Sequence, residues 1–352
     1  VATEITLDLV PRGRFDLIDA AQRCDSEQRD LRRRHSCALY SSLHTTAGFL
    51  GPRFAARVTR HRAQLHGFFR VFRTLFPPGG DYRHDQMHLR QELNDAQREK
   101  EPRNGDSHLT FIGSGMTNCA THANRPPRPV YFIDLDGECD GQRRRRRARV
   151  LGYDHERVVA EEVILVPVSR HPIDSVNLAD PRFGFLEQIE DMMARSGLEK
   201  GRVDLALHAE ERDSGLTVNE YETLLMRHDL AEVLRDPLRF AAQKGRHMLE
   251  APLAIPGKTL NYARYDVVQV FNTLMEALHI SESAVERLIA QFMAVPARRL
   301  LRSRRVSFLA SDQAGEGRAR LVRGTYQSPI LVQWKPSRDA VRRIHLRLVR
   351  LS

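Results

Sequence analysis

Apolar and polar positions alternate along much of the first half of this 352-residue chain. Ile5, Leu7 and Leu9 alternate with Thr6 and Asp8, and residues 36–44 repeat the two-residue period with Cys37, Leu39, Ser41 and Leu43 on one face, so both read as strands. Between 54 and 76 the period changes. Val58, Leu65, Phe68, Phe69, Phe72 and Leu75 recur at three-and-four spacing, which predicts an amphipathic helix stopped by Pro77-Pro78-Gly79-Gly80. Residues 86–103 are polar and read as an insertion or a short surface helix. Strand patterns return at 108–117 and 129–135, joined by a loop holding Asn124-Arg125-Pro126-Pro127-Arg128-Pro129.

Residues 143–147 are five consecutive arginines, which suit a solvated edge strand as well as a ligand-binding one. After a Val/Ile/Leu-rich strand at 158–168, residues 172–181 mark a boundary beyond which helical periods take over. Phe185, Leu186, Ile189, Met192 and Met193 predict a helix closed near Gly197; Val218, Tyr221, Leu224, Leu225 and Leu234 a second; Val267 to Leu278 a third. A fourth starts at a capping box, Ser283 with Glu286, and carries Val285, Leu288, Ile289 and Phe292. The tail alternates again at Val306/Phe308, Ile330/Val332/Trp334 and Ile344/Leu346/Leu348. No long repeat and no low-complexity linker stands out.

Charge adds a second layer. Lys and Arg number 55 against 45 Asp and Glu, and only five of the 55 are lysine. The excess is confined to one end, because residues 293–352 hold 14 basic and 3 acidic residues. A one-ended basic segment suits a polyanionic partner such as nucleic acid, and the helix pair followed by basic strands fits either a winged-helix-like unit or a compact helical accessory domain. No apolar run is long enough for a membrane span, and no leader-like segment opens the chain, so the expected setting is the cytoplasm with no membrane partner. Starting at Val1 suggests a processed or trimmed start. Cys24, Cys37, Cys119 and Cys139 form no CxxC pair and read as free thiols.

Candidate chemistry lies in three histidine-bearing segments: His44-Thr45-Thr46-Ala47-Gly48, Asp81-Tyr82-Arg83-His84-Asp85 and Asn104-Gly105-Asp106-Ser107-His108. Converged, three neutral imidazoles would make an open metal site, with Asp85 or Asp106 orienting a ring from behind. Nothing in the spacing forces convergence.

These segments carry a family resemblance. Gly13-Arg14-Phe15-Asp16-Leu17-Ile18-Asp19, the His44-Thr45-Thr46-Ala47-Gly48 turn, Tyr82-Arg83-His84, Asp106-Ser107-His108-Leu109, Ile112-Gly113-Ser114-Gly115 and the run from Val130 to Gly137 occur in this order. Over roughly residues 1–152 the chain resembles the YjbQ-like family, also called secondary thiamine-phosphate synthase. The resemblance implies an α+β domain of packed sheets over residues 1–170, a trimeric homo-oligomer, and a divalent metal, most simply zinc, held by His44, His84 and His108. It implies a small phosphorylated substrate and a transferase reaction that joins a pyrimidine diphosphate to a thiazole phosphate, releasing pyrophosphate and giving thiamine phosphate. Arg125 and Arg128 are the loop candidates for catalytic stabilisation of the departing pyrophosphate.

Two departures stand against it. The family continues its His-Thr-Thr turn into an Asn-Glu pair, whereas this chain runs Phe49-Leu50-Gly51-Pro52-Arg53; and the family's Gly-Thr-Trp-Gln-Gly before the late strand is replaced by Arg125-Pro126-Pro127-Arg128-Pro129. An Asn-Glu echo in Gly215-Leu216-Thr217-Val218-Asn219-Glu220 reads as chance, because no His-Thr-Thr precedes it. Residues 171–352 are expected to form a mostly helical accessory domain ending in a small basic sheet. The alternative to an enzyme is a non-catalytic oligomeric scaffold whose segment 293–352 binds nucleic acid or another polyanion.

Overall fold

The structure is a computed structural model that describes residues 2–51, 55, 62–139, 141–236, 240, 243–244, 303–312, 315 and 317–352. The chain divides into two compact units. The first comprises Val1–Ala56, Gly115–Tyr221 and Leu301–Ser352; the second comprises Arg57–Ser114 and Glu222–Leu300.

In the first unit the chain runs through β1 (Thr3–Leu9), β2 (Asp16–Asp19), α1 (Ala20–Glu27), α2 (Leu31–Arg34), β3 (Cys37–Ser42) and β4 (Ala47–Leu50). It then leaves for the second unit, where it forms α3 (Arg62–Leu75), α4 (Asp95–Lys100) and α5 (Gly105–Ser114). It returns as β5 (Met116–Thr117), β6 (Cys119–Ala123), β7 (Tyr131–Asp134), β8 (Glu138–Cys139), β9 (Gln142–Arg143) and β10 (Arg146–Tyr153). The strands make one sheet of order β1-β10-β3-β6 and a second of order β2-β7-β4-β5. Asp19 starts α1 by accepting the N–H groups of Ala21 and Gln22, two donors that the first helical turn cannot use itself.

The path then repeats. β11 (Glu156–Pro167), β12 (Asp174–Asn177), α6 (Phe185–Arg195), β13 (Lys200–Leu207) and β14 (Ser214–Asn219) precede a second excursion, which carries a π-turn at Leu225–Asp229 running into α7 (Leu230–Arg235). After it come β15 (Arg305–Ser311), β16 (Arg320–Val322), β17 (Ser328–Gln333) and β18 (Val341–Leu351). Their sheets have orders β11-β18-β13-β15-β16 and β12-β17-β14. Strand for strand, β11, β12, β13, β14, β15, β17 and β18 stand where β1, β2, β3, β4, β6, β7 and β10 stand in the first half. Both excursions into the second unit leave at the same point of the path, after β4 and after β14. The chain is therefore built from two halves of one topology, a repeat its linear pattern conceals.

Among the described residues, three cores hold the stack of sheets together. Leu7, Ala38, Tyr40 and Val150 meet Phe49, Phe132 and Cys24 between the two first-half sheets and α1. Val203, Leu205, Leu346 and Leu348 meet Leu216, Leu331, Phe185 and Ile189 between the second-half sheets. Leu39, Leu151 and Tyr153 meet Leu309, Val349 and Leu351 between the halves. Strands β3, β10 and β18 thus bury side chains on both faces, and burial of that apolar area is the main force joining the halves. Within the second unit, Phe76 meets Phe240 edge-on and Tyr82 meets it at a tilt, with ring centroids 6.2 Å apart in each pair.

Several expectations are corrected. Residues 171–352 are mostly sheet where described, not mostly helical, and β11 pairs with β18, so a division at 170 would cut one sheet in two. The expected helices at 267–278 and 285–292 lie outside the described residues. The segment 108–117 is largely α5, whose ten residues are all buried, so no amphipathic stripe marks it. The expected helix from Val218 begins as β14, buried at every position and lacking the alternation that would betray a strand. The arginine run is not one edge strand: Arg143 ends β9 of the two-stranded β8-β9 sheet, Arg144 and Arg145 lie between strands, and Arg146 and Arg147 open β10, which lies between β1 and β3. The strands expected at 5–9, 36–44, 158–168 and in the tail, and the helix closed near Gly197, are present. No helix among the described residues is long and apolar enough to cross a membrane.

Candidate functional site

His44 lies in the turn between β3 and β4 and is partly exposed. The turn is closely tied. Ser42 Oγ donates to the Ala47 carbonyl at 2.6 Å and accepts the His44 N–H at 3.2 Å, and the Thr46 carbonyl accepts the Leu135 N–H. The backbone N–H of Arg147 donates to His44 Nε2 at 2.8 Å. A backbone N–H can only donate, so Nε2 is the bare nitrogen and the proton of the neutral ring sits on Nδ1. Burial first, then the charges of Arg146, Arg147 and Arg144, push the His44 pKa down to about 3, so the ring is neutral through the physiological range.

The arginine run flanks this turn in two registers. Arg146 forms a two-pronged ion pair with fully buried Asp134, at 2.8 Å from Nε and 3.0 Å from Nη2, and also donates to the Asp136 carbonyl. Arg144 pairs with the buried Asp136 carboxylate at 3.1 Å. Arg143, Arg145 and Arg147 are exposed, and no ion pair holds their guanidinium groups among the described residues. Within β10, alternation turns Arg146 inward and Arg147 to solvent.

Side chains from the second half complete the turn. Gln327, fully buried in the loop before β17, donates from Nε2 to the carbonyls of Ser42 (3.0 Å) and His44 (2.8 Å) and accepts the Gly324 N–H at Oε1 (3.0 Å). Asn219, fully buried at the end of β14, donates from Nδ2 to the Thr45 carbonyl at 3.0 Å and accepts the Glu220 N–H. Gly324 approaches so closely that an added Cβ would overlap the Leu43 carbonyl oxygen.

These two residues change the reading of the motifs. Gly324-Thr325-Tyr326-Gln327-Ser328 precedes β17, which stands where β7 stands in the first half, and Asn219-Glu220 closes β14, which stands where β4 stands. Topology thus sets Asn219-Glu220 and Gly324-Thr325-Tyr326-Gln327 at second-half places that correspond to the ends of β4 and of the loop before β7. Each half lacks what the other carries. The sequence signal was there, but only topology aligned it.

Arg125 and Arg128 are not brought to His44. Their loop joins the end of β6 to the start of β7, and Ala123 pairs with Cys37 at the opposite end of β3 from the turn, about 20 Å away at ~3.3 Å per residue. There Arg125 donates to the Arg33 carbonyl and the Arg128 carbonyl accepts from Arg32.

His84 and His108 belong to the second unit, both buried, with ring centroids 5.0 Å apart. Asp85 takes His84 Nδ1 at 2.8 Å and the Gly105 N–H at 3.0 Å. Asp106 is buried beside Ser107. Asp229, from the second half, accepts the N–H groups of Arg83 and His84 at 3.0 and 2.9 Å. Its pKa is raised to about 6 by burial, opposed by those two hydrogen bonds and by the charges of Lys244 and His84. A cleft of about 600 Å³ lined by Asp81, Asp85, Gln86, His88 and Arg103 adjoins Asp85.

His44 Nε2 is already occupied by a backbone donor, and among the described residues no three His, Cys, Asp or Glu side chains are grouped to hold an ion. The basic tail is also less available than its composition suggests. Arg304, Arg323, Arg342, Arg347 and Arg350 all bond within the protein, and β18 is an inner strand.

Such a molecule is a duplicated α+β sheet stack with one turn served by both halves. No protein-family profile and no curated protein matches the chain. Among solved structures it is similar to a YbjQ-like protein of unknown function from Sulfolobus solfataricus, at 18% identity over 56% of this chain and 99% of that one, with a TM-score of 0.28. It is likewise similar to an uncharacterised protein of the YjbQ/UPF0047 family from Clostridium acetobutylicum, at 12% identity over 54% and 99%, TM-score 0.25. A hypothetical protein from Aeropyrum pernix matches at 16% identity over 53% and 96%, TM-score 0.29.

Proposed function

We propose that the His44 turn binds a small phosphorylated ligand, and that the chain is a transferase of the pyrophosphate-releasing kind implied by its motifs. One observation carries the reading. The Arg147 N–H occupies Nε2 and leaves Nδ1–H as a donor in a partly exposed turn, where the charges of Arg146, Arg147 and Arg144 reach the ring and the Arg147 side chain is exposed. A neutral imidazole N–H with fixed orientation and nearby cations suits phosphate oxygens, since charge-assisted hydrogen bonds to an anion are the strong ones.

In thiamine-phosphate-synthase-like transfer, the carbon–oxygen bond to the diphosphate breaks as the thiazole nitrogen forms its bond to the same carbon. Pyrophosphate departs with the electron pair. His44 Nδ1–H and the exposed Arg147 would meet the charge that develops on it, and donors already in place lower the barrier because they need no reorganisation. No step is assigned to a metal.

The test is calorimetric titration of the full chain with inorganic pyrophosphate, beside an assay for thiamine phosphate from the two phosphorylated precursors. Binding is expected to weaken at least tenfold in His44→Ala and several-fold in Arg147→Ala. Equal affinity in wild type and His44→Ala would reject the site. One equivalent of zinc that vanishes in His44→Ala would replace this role for His44 with a ligand role.

A further inference from the structure

The second half devotes two fully buried amide side chains to a turn of the first half. Gln327 spans the Ser42 and His44 carbonyls with its two N–H groups while its own carbonyl is held by the Gly324 N–H. Asn219 fixes the Thr45 carbonyl and is itself held by the Glu220 N–H. Only a primary amide offers this combination of two donors and an acceptor in one plane. Desolvated as they are, each would be costly to bury without such partners.

The first half has no amide at the matching places: β4 closes in Leu50-Gly51-Pro52, and Arg128-Pro129 stands before β7. The corresponding second-half turn, after β13, is closed by its own residues instead. His208 stacks flat on His345 at 4.9 Å, and the Glu211 carboxylate takes Arg342 at 2.8 Å and the Arg343 N–H at 3.0 Å. Arg304 ties down the His208 carbonyl at 2.7 Å.

We infer that Asn219 and Gln327 are positioning residues for His44, and that the two halves have divided one site between them, leaving one ligand-facing turn per chain. By fixing the backbone carbonyls on either side of His44 and its own, they aim the ring so that Nε2 meets the Arg147 N–H and Nδ1–H is presented outward. The inference rests on the His44 turn being the ligand site, but the positioning role is measurable without any ligand.

The experiment is nitrogen NMR of the full chain labelled in histidine, which separates the two neutral tautomers, with His44 assigned from the His44→Ala spectrum. Wild type should show His44 protonated at Nδ1. In Gln327→Leu and in Asn219→Asp, which keeps size but loses the donor, the signal should move toward a tautomer mixture, and pyrophosphate affinity should fall about tenfold. Arg128→Ala, at the far end of β3, should change neither. An unaltered His44 signal in folded Asn219→Asp overturns the positioning role, as does a wild-type ring protonated at Nε2. Tautomer shifts in the variants without any pyrophosphate effect in wild type would reject the ligand reading, and the one-turn claim with it, while positioning stands. Pyrophosphate shifts at both His44 and His208 would overturn the division of labour.

Discussion

At the scale of single residues, the chain spends charge to build shape. Arg146 and Asp134 are both buried, and each would be intolerable alone, because a desolvated charge without its partner costs several kcal/mol. Arg146→Leu should therefore destabilise the protein by about 3–5 kcal/mol in urea unfolding, as expected when one member of a buried pair is removed. The double variant Arg146→Leu/Asp134→Leu should recover much of that loss. A double variant no more stable than the single one would show that the pair acts through packing rather than charge. Cys24 and Cys119 tell a similar story from the apolar side: burial raises both thiol pKa values, to about 11 and about 12, which makes them packing residues rather than nucleophiles.

At the scale of elements, the deciding feature is where loops end relative to strands. The loop before β17 reaches the β3–β4 turn only because residue 324 has no side chain. Gly324→Ala would place a methyl group against the Leu43 backbone, which cannot retreat as a side-chain tip can. The expected outcome is a protein that still folds, with its loop displaced. Gln327 then loses its carbonyl partners, the His44 nitrogen signals move as in Gln327→Leu, and melting falls by several degrees. An unchanged His44 spectrum would mean the loop accommodates the methyl group without moving the turn. The start of β10 shows the same logic in a strand, because period-two alternation sends Arg146 to Asp134 and leaves Arg147 to solvent.

At the scale of the whole molecule, each unit draws on both halves of the chain. In the sheet stack this is the core formed by Leu39, Leu151, Leu309 and Val349; in the second unit it is Asp229 capping the His84 turn. Asp229 also predicts a pH dependence. Its folded pKa, about 6, lies above the usual carboxylate range, so between about pH 4 and pH 6 the folded protein holds a proton that the unfolded chain has released. Stability from this group is thus highest below pH 4 and is lost as pH rises through 6, by about 3 kcal/mol from a shift of this size. Urea unfolding of wild type and Asp229→Asn at pH 4 and pH 7 checks the sign: as pH rises, the wild type should lose stability relative to the variant, whose amide stays neutral throughout. A difference independent of pH would show that the carboxylate is not titrating where its burial implies.

How much was legible follows from these scales. The strand periods at residues 5–9, at 158–168 and in the tail, the helix closed by Gly197, and the order of the histidine motifs were all readable, because alternation and turn chemistry are local properties of the chain. α5 and β14 were not, because segments buried on every side lose the period that distinguishes helix from strand. The repeat was hidden because the halves share strand order rather than residue identity, and the excursions after β4 and β14 push matching segments out of step. The sequence by itself offered the His-Thr-Thr turn and the arginine run as candidates for chemistry, but its reading set the Asn-Glu pair aside as chance and passed over the Gly-Thr-Tyr-Gln segment. Only the tertiary structure decided that Asn219 and Gln327 serve His44 while Arg125 and Arg128 do not, because hydrogen bonds between residues 174 and 283 positions apart depend on how sheets stack, which no local pattern encodes.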